Sequence, residues 1–317
     1  MGSVGPQNPQ VGEGSANLQS DAFTIGRVSI EVSGHSCADV TLVPSLQPFR
    51  SCPQFPDIHL QIEWTENILP LGGESLFDSG SVWRLNEQAG EFLFDFSAPT
   101  LGSRPYKRLF VDKAFRAARL QMSVQSFARS AHAVVPLEYP LDELLIMHRL
   151  TQEKAIELHG AGIVRADGVG NLFVGHSGAG KSTTTRLWTS REGVEVLSDD
   201  RIIVRRDDTA TSSAKGLGRM RIYGTPWHGE ARYASPGDAS LERIFVLEHG
   251  SGNVLTRLSP SQAVAELFAR SFVPFHRHEY VDSALEFLQE VVDAVPVYRY
   301  AFEPDQHAVD TVLNFHD

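Results

Sequence analysis

Hydrophobic and polar positions alternate through the first part of the chain. Phe23-Thr24-Ile25-Gly26-Arg27-Val28-Ser29-Ile30-Glu31-Val32 runs with a period near two, as does Ile58-His59-Leu60-Gln61-Ile62-Glu63-Trp64, and Phe92, Phe94 and Phe96 fall at every second position. Successive side chains of an extended chain point to opposite faces, so these runs predict half-buried strands. Proline and glycine clusters from Pro44 to Pro56 and at Gly72-Gly73 punctuate them as turns do. The pattern predicts a β-rich N-terminal domain over residues 21–135, a usual domain size. Residues 1–20 are rich in Gly, Ser, Pro, Gln and Asn. They bury too little apolar surface to offset ordering entropy, so a disordered tail is expected.

From residue 136 the pattern changes. Pro140-Leu141-Asp142-Glu143 opens a helix, with proline and two acids in the first turn and Leu141, Leu144, Leu145 and His148 on one face. Strands are predicted at 156–164 and 171–174, joined by the hairpin chemistry of Asp167-Gly168-Val169-Gly170. A helix at 181–190 follows, then strands at 194–205, 219–225, 243–248 and 297–303. Further helices are predicted at 260–270, 282–293 and from 305 onwards. The mixture predicts an α/β catalytic domain over 136–317, behind the β-rich domain.

Composition narrows the function. The 317 residues carry 28 Lys and Arg against 39 Asp and Glu, a net charge of −11. Such a chain is poorly suited to coating nucleic acid or an anionic membrane. No apolar stretch is long enough to span a bilayer. Met1-Gly2-Ser3-Val4-Gly5-Pro6 has neither the apolar run of a secretory signal nor the Ser or Thr of a myristoylation site. The two cysteines, Cys37 and Cys52, make no disulfide framework, so a reducing, cytoplasmic setting is expected.

The chemistry concentrates in Gly175-His176-Ser177-Gly178-Ala179-Gly180-Lys181-Ser182-Thr183, which satisfies G-x-x-x-x-G-K-[ST] in full. Glycines let backbone N–H groups turn inward around phosphate oxygens, Lys181 places a point charge on them, and the Ser182 hydroxyl suits Mg²⁺. The strand before the loop and the helix after it set the phosphates on a helix N-terminus. Val194-Glu195-Val196-Leu197-Ser198-Asp199-Asp200 then ends a strand in two acids. Adjacent side chains on an extended chain diverge, which invites one carboxylate to serve the metal and the other to take a proton. Asp207-Asp208 lies in a polar stretch and reads as solvated. Thr225-Pro226-Trp227-His228 reads either as a ligand contact or as a packed turn. His276 and His278 lack the further ligands a metal needs.

Leu158-His159-Gly160, the strand Ala161–Val164, Leu172-Phe173-Val174, the phosphate loop and Leu197-Ser198-Asp199-Asp200 form an ordered series. It resembles the catalytic domain of the HPr serine kinase/phosphorylase family, itself similar to the nucleotide site of ATP-dependent phosphoenolpyruvate carboxykinases. The resemblance covers about residues 155–205. It implies Asp199 as general base, Asp200 and Ser182 as Mg²⁺ ligands, Lys181 as phosphate clamp and His159 beside the phosphates. Where the family carries an acidic strand and a glycine-rich loop, Gly218–Glu230 has Arg219 and Arg221, and with Lys181 and Arg186 these form a basic set. The resemblance implies an ATP-dependent kinase acting on a protein or peptide serine or a small-molecule hydroxyl, and assembly into an oligomer. An ATPase switch, a carboxykinase-type lyase and a nucleotide-binding module without chemistry are the rival expectations.

Overall fold

The computed structural model describes residues 18–37, 39–71, 75–127, 135–207 and 219–315. The expected tail falls largely on residues outside these, as do Gly72-Gly73, Asp208, Gly218 and the side chain of Arg219.

The first sheet contains β1 (Gln19–Ile25), β2 (Val28–Gly34), β3 (Ile58–Thr65), β4 (Phe77–Asp78), β5 (Trp83–Gln88), β6 (Glu91–Phe96), β7 (Lys107–Asp112) and β8 (Ala117–Ser123). Their spatial order is β1-β2-β3-β8-β7-β6-β5-β4. β3 runs parallel to both β2 and β8, and the other pairs are antiparallel. The short helix α1 (Val124–Phe127) follows β8. The period-two runs explain the strands: Phe23, Ile25, Ile58, Leu60, Ile62, Phe92, Phe94 and Phe96 are all buried.

Helix α2 (Leu141–Leu150) crosses to the second sheet. That sheet contains β9 (Ala155–Val164), β10 (Val169–Val174), β11 (Glu195–Ser198), β12 (Arg201–Asp207), β13 (Arg219–Tyr223), β14 (Asp238–His249), β15 (Val254–Arg257), β16 (Ser271–Phe272) and β17 (Val297–Phe302). Its path is β10-β9-β12-β13-β14-β17-β15, with β11 and β16 also on β9. β10 pairs again with β14, so β10, β9, β12, β13 and β14 close into a ring. Helices α3 (Lys181–Thr189) and α6 (Gln306–Leu313) share one buried cluster with the sheet, and α4 (Pro260–Phe268) and α5 (His278–Ala294) share another. Among the described residues no helix is long and apolar enough to cross a membrane.

The expected fold class, an α/β domain of the phosphate-loop, HPr kinase/phosphoenolpyruvate carboxykinase-like kind, is corrected here. The protein is mostly β, with two large mixed sheets and six helices among the described residues. Counting alternating helices and strands does not reveal which strands pair. In the second sheet only β10–β14 and β14–β17 are parallel, and the rest are antiparallel. Antiparallel neighbours need only short connections, whereas a βαβ repeat needs a crossover for every strand.

The two sheets share a core. Leu141, Leu144, Leu145 and Ile146 of α2, with Ile203, Tyr223 and Trp227 of the second half, belong to the same buried cluster as the first sheet. The β1–β2 turn shows how close the approach is. Gly26 has φ +54°, and a Cβ there would lie 2.6 Å from Ile203 Cδ1.

Candidate functional site

Three separate stretches converge on His159-Gly160 of β9. On one edge, β10 ends with Val174 opposite Gly160, which delivers the phosphate loop to that point. On the other edge, β11 pairs with Gly162–Val164 and β12 with Ala155–His159. The strand expected over 194–205 is therefore interrupted, and Asp199-Asp200 occupies the break opposite Gly160, whose N–H donates to Asp200 O at 3.0 Å.

The loop's shape needs its glycines. Gly178 and Gly180 have φ of +82° and +103°, a region unfavourable to other residues. A Cβ on Gly180 would also lie 2.5 Å from Phe302 Cζ at the end of β17. His249, at the end of β14, holds the loop from outside, Nε2 to Gly178 O at 2.8 Å. Gly180 caps α3 without a side-chain hydrogen bond. Ser182, Thr183 and Arg186 line a cleft of about 430 Å³ that also takes in His159, Lys181, Asp199, Asp200 and Glu230. Within the loop His176, Ser177 and Gly178 are exposed, and Gly175 is buried beneath them, with Ala179 partly covered.

Lys181 is buried, and its ammonium donates to Gly175 O at 2.9 Å, His176 O at 3.2 Å and His159 Nε2 at 2.8 Å. These three partners are all neutral acceptors. Burial holds the Lys181 pKa below its usual value, with Arg201 and Arg270 adding repulsion against the pull of Asp200. The Lys181 contact also settles the tautomer of His159. Nε2 accepts, so Nδ1 carries the hydrogen and donates toward Asp200 O at 3.2 Å, with Asp200 Oδ1 at 3.3 Å. Burial, then the charge of Lys181, keeps the His159 pKa low and the ring neutral.

The paired aspartates diverge as an extended chain requires, and their surroundings differ. Asp199 is 1% exposed and accepts three backbone N–H bonds: from Gly229 and Tyr233 on Oδ1 at 3.0 and 3.2 Å, and from Ala231 on Oδ2 at 2.9 Å. It fastens the segment 229–233 across the cleft. Asp200 keeps 24% of its side chain exposed and faces His159 and Arg201. Arg201 is a hub. Its guanidinium reaches Asp200, meets Glu143 at 2.8 Å and Glu157 at 3.6 Å, and lies on the Phe272 ring at 4.1 Å. Burial raises the Glu157 pKa well above the carboxylate range, and the Glu143 charge adds to the rise.

The remaining sequence-singled residues separate. Trp227 is packed, with Nε1 donating to Asp142 Oδ2 at 3.1 Å, while its neighbours Gly229 and Glu230 reach the cleft. Arg221 does not join Lys181 and Arg186, because the β13 register places it opposite Ser240 and it pairs with Asp238. Of the Asp207-Asp208 pair, Asp207 ends β12 half-buried and with interaction partners, and Asp208 lies outside the described residues. His276 packs among rings, edge-on to Phe92 and Tyr280 and tilted against His148. Among the described residues no group of three or more His, Cys, Asp or Glu is placed to hold a metal. Cys37 and Cys52 are unpaired.

Sequence reasoning missed His249, the Asp199-bound amides and the Glu143–Arg201–Glu157 cluster. One signal was available for the last: Glu157 is an acid in an otherwise apolar strand, two residues before His159 and so on the same face. No protein-family model and no curated protein matches this chain.

Proposed function

We propose that the protein is an ATP-dependent phosphotransferase of the HPr kinase-like kind, passing the γ-phosphoryl group of Mg·ATP to a hydroxyl acceptor. One observation carries this reading: the phosphate loop, the α3 N-terminus and the paired aspartates meet at His159-Gly160 around one cleft. The loop amides and helix end favour a polyphosphate. Lys181 supplies a buried positive charge whose direct partners are neutral, so an anionic phosphate is the group it lacks. His159 holds that ammonium at its neutral nitrogen and aims it along the loop.

The Ser182 hydroxyl and the Asp200 carboxylate are hard oxygen donors on the same cleft wall. That set fits Mg²⁺, which takes one or two protein oxygens and completes its shell with phosphates and water. Bound there, Mg²⁺ would supply positive charge to offset that of the phosphates. Resemblance assigned the base to Asp199, but geometry favours another division. Asp199 has its oxygens occupied by loop amides and shapes the wall, whereas Asp200 takes none of those amides, keeps 24% of its side chain exposed between His159 and Arg201, and with one oxygen toward Mg²⁺ would orient an acceptor hydroxyl with the other. We place this chemistry in the cytoplasm, where Cys37 and Cys52 stay reduced.

The test is calorimetric titration with Mg·ATP, followed by incubation with labelled ATP and a native cell extract. Wild type should bind and label an acceptor. Asp200→Asn, which alters a Mg²⁺ ligand as well as the group orienting the acceptor, should lose transfer by at least about a hundredfold. Transfer at the wild-type rate by Asp200→Asn would remove its role. Rapid phosphate release with no acceptor would favour an ATPase.

A further inference from the structure

A second pocket, of about 330 Å³, opens beside Asp200. Asp200 is the residue that lines both this pocket and the loop cleft. The rest of its wall comes from both halves of the chain: Ser45 from the first, Tyr139 and Asp142 at the start of α2, and Arg201, Trp227 and His228 from the second. We propose that this pocket holds the phosphoryl acceptor, and that the acceptor is a neutral polyhydroxyl compound of about monosaccharide size. The proposal rests on the phosphotransferase reading above.

Position is the first argument. An acceptor seated here presents a hydroxyl at Asp200, which also lines the cleft of the loop and Lys181. Its oxygen attacks the γ-phosphorus as the bond to the bridging oxygen breaks. ADP leaves with that electron pair, and the hydroxyl proton passes to solvent, with Asp200 orienting the hydroxyl. In-line transfer requires acceptor and leaving group on opposite sides of the phosphorus.

Charge is the second argument. Among the described residues of the wall, Arg201 is the permanent cation, and it is already engaged by Glu143 and Asp200 and stacked on Phe272. An anionic acceptor finds no free cation among these wall residues and meets the carboxylates of Asp142 and Asp200. A ligand rich in O–H donors meets the opposite: the partly exposed Asp200 carboxylate, the hydroxyls of Ser45 and Tyr139, and the Tyr139 ring, 59% exposed, for an apolar face, while Asp142 is held by Trp227 and the Glu143 amide. The volume lies at the lower end of the range for small-ligand sites, about 300 Å³.

The experiment measures ADP formation from Mg·ATP by the full chain with five probes. Two are neutral polyols, myo-inositol and glucose; two are anions, glucuronate and glucose 6-phosphate; one is a serine tripeptide blocked at both ends. Saturable turnover with a neutral polyol, and at most about a tenth of it with either anion, is expected. Tyr139→Ala should raise the polyol KM at least about tenfold, and Ser45→Trp, which fills the pocket, should abolish turnover. Both should keep the Mg·ATP Kd within about twofold, because neither residue lines the loop cleft. Failure of wild type to bind Mg·ATP would sink the nucleotide reading. Mg·ATP binding with no polyol turned over, with the anions or the peptide preferred, or with both variants indifferent, would overturn the pocket assignment alone.

Discussion

Asp199 takes amide hydrogens from Gly229 and Tyr233 on one oxygen and from Ala231 on the other. Asp199→Asn keeps an oxygen for the first two but sets an NH₂ group against the third N–H. We expect a loss of about 1–3 kcal/mol in urea unfolding, the cost of an unsatisfied buried donor, and faster proteolysis within 229–233. Unchanged stability would mean that these bonds do not hold the segment. His148 gives a pH prediction of definite sign. It is enclosed by Phe94 and Phe115, and burial pulls its pKa from 6.5 down to about 3. The unfolded chain therefore takes up a proton below 6.5 that the fold refuses, and stability falls as the pH drops from there toward 3. Asp142 acts in reverse. Burial lifts it from 3.8 to about 6, so its contribution is complete below 3.8 and is lost as the pH rises to 6. Unfolding free energies measured from about pH 4.5 to 6 should separate the two. His148→Phe should make the slope less positive by about 1.4 kcal/mol per pH unit, and Asp142→Asn should make it more positive by about the same. Changes of the same sign in both variants would contradict the assigned protonation states.

At the scale of elements, the phosphate loop depends on the strand beside it as well as on its own residues. Gly180→Ala meets an unfavourable φ and the Phe302 ring together. We expect at least a tenfold loss of Mg·ATP affinity, about 1.4 kcal/mol by calorimetry; affinity within about twofold of wild type would mean that the loop binds nucleotide in another shape. Lys181→Ala removes the buried cation and should weaken binding by about 1.5–3 kcal/mol, the worth of a hydrogen bond to a charged group. The elements bearing these residues were legible in the sequence: β9, β10, α3 and α2 all lie close to where periodicity and turn chemistry placed them. The break between β11 and β12 was legible only in part, as two acids closing a strand. Val194–Arg205 reads as one apolar-rich strand, and only pairing with β9 shows that the chain leaves the ladder at Asp199-Asp200 and rejoins it at Arg201. A local pattern records which side chains are apolar. It does not record which partner each backbone amide finds.

At the scale of the molecule, the buried cluster under the first sheet includes α2, Ile203, Tyr223 and Trp227, so the halves do not bury their apolar surface separately. We expect one cooperative thermal transition, with calorimetric and van't Hoff enthalpies in agreement. Two resolved transitions would show that the sheets fold independently. This shared core also explains why residues from both halves meet around the second pocket. The helices expected in the second half are present, but the pairing of strands makes the protein mostly β and overturns the α/β expectation.

By itself the sequence determined the alternating strands, the helix bearing Lys181, and the kinds of group available for phosphate and metal, because each depends on neighbours a few residues away. Tertiary structure alone decided that Asp199 is held by loop amides while Asp200 sits between His159 and Arg201, that Arg201 is spent on acids, and that the strands close largely antiparallel. Those outcomes depend on amides, rings and carboxylates tens of residues distant, which compete for the same few hydrogen-bonding positions and the same buried space.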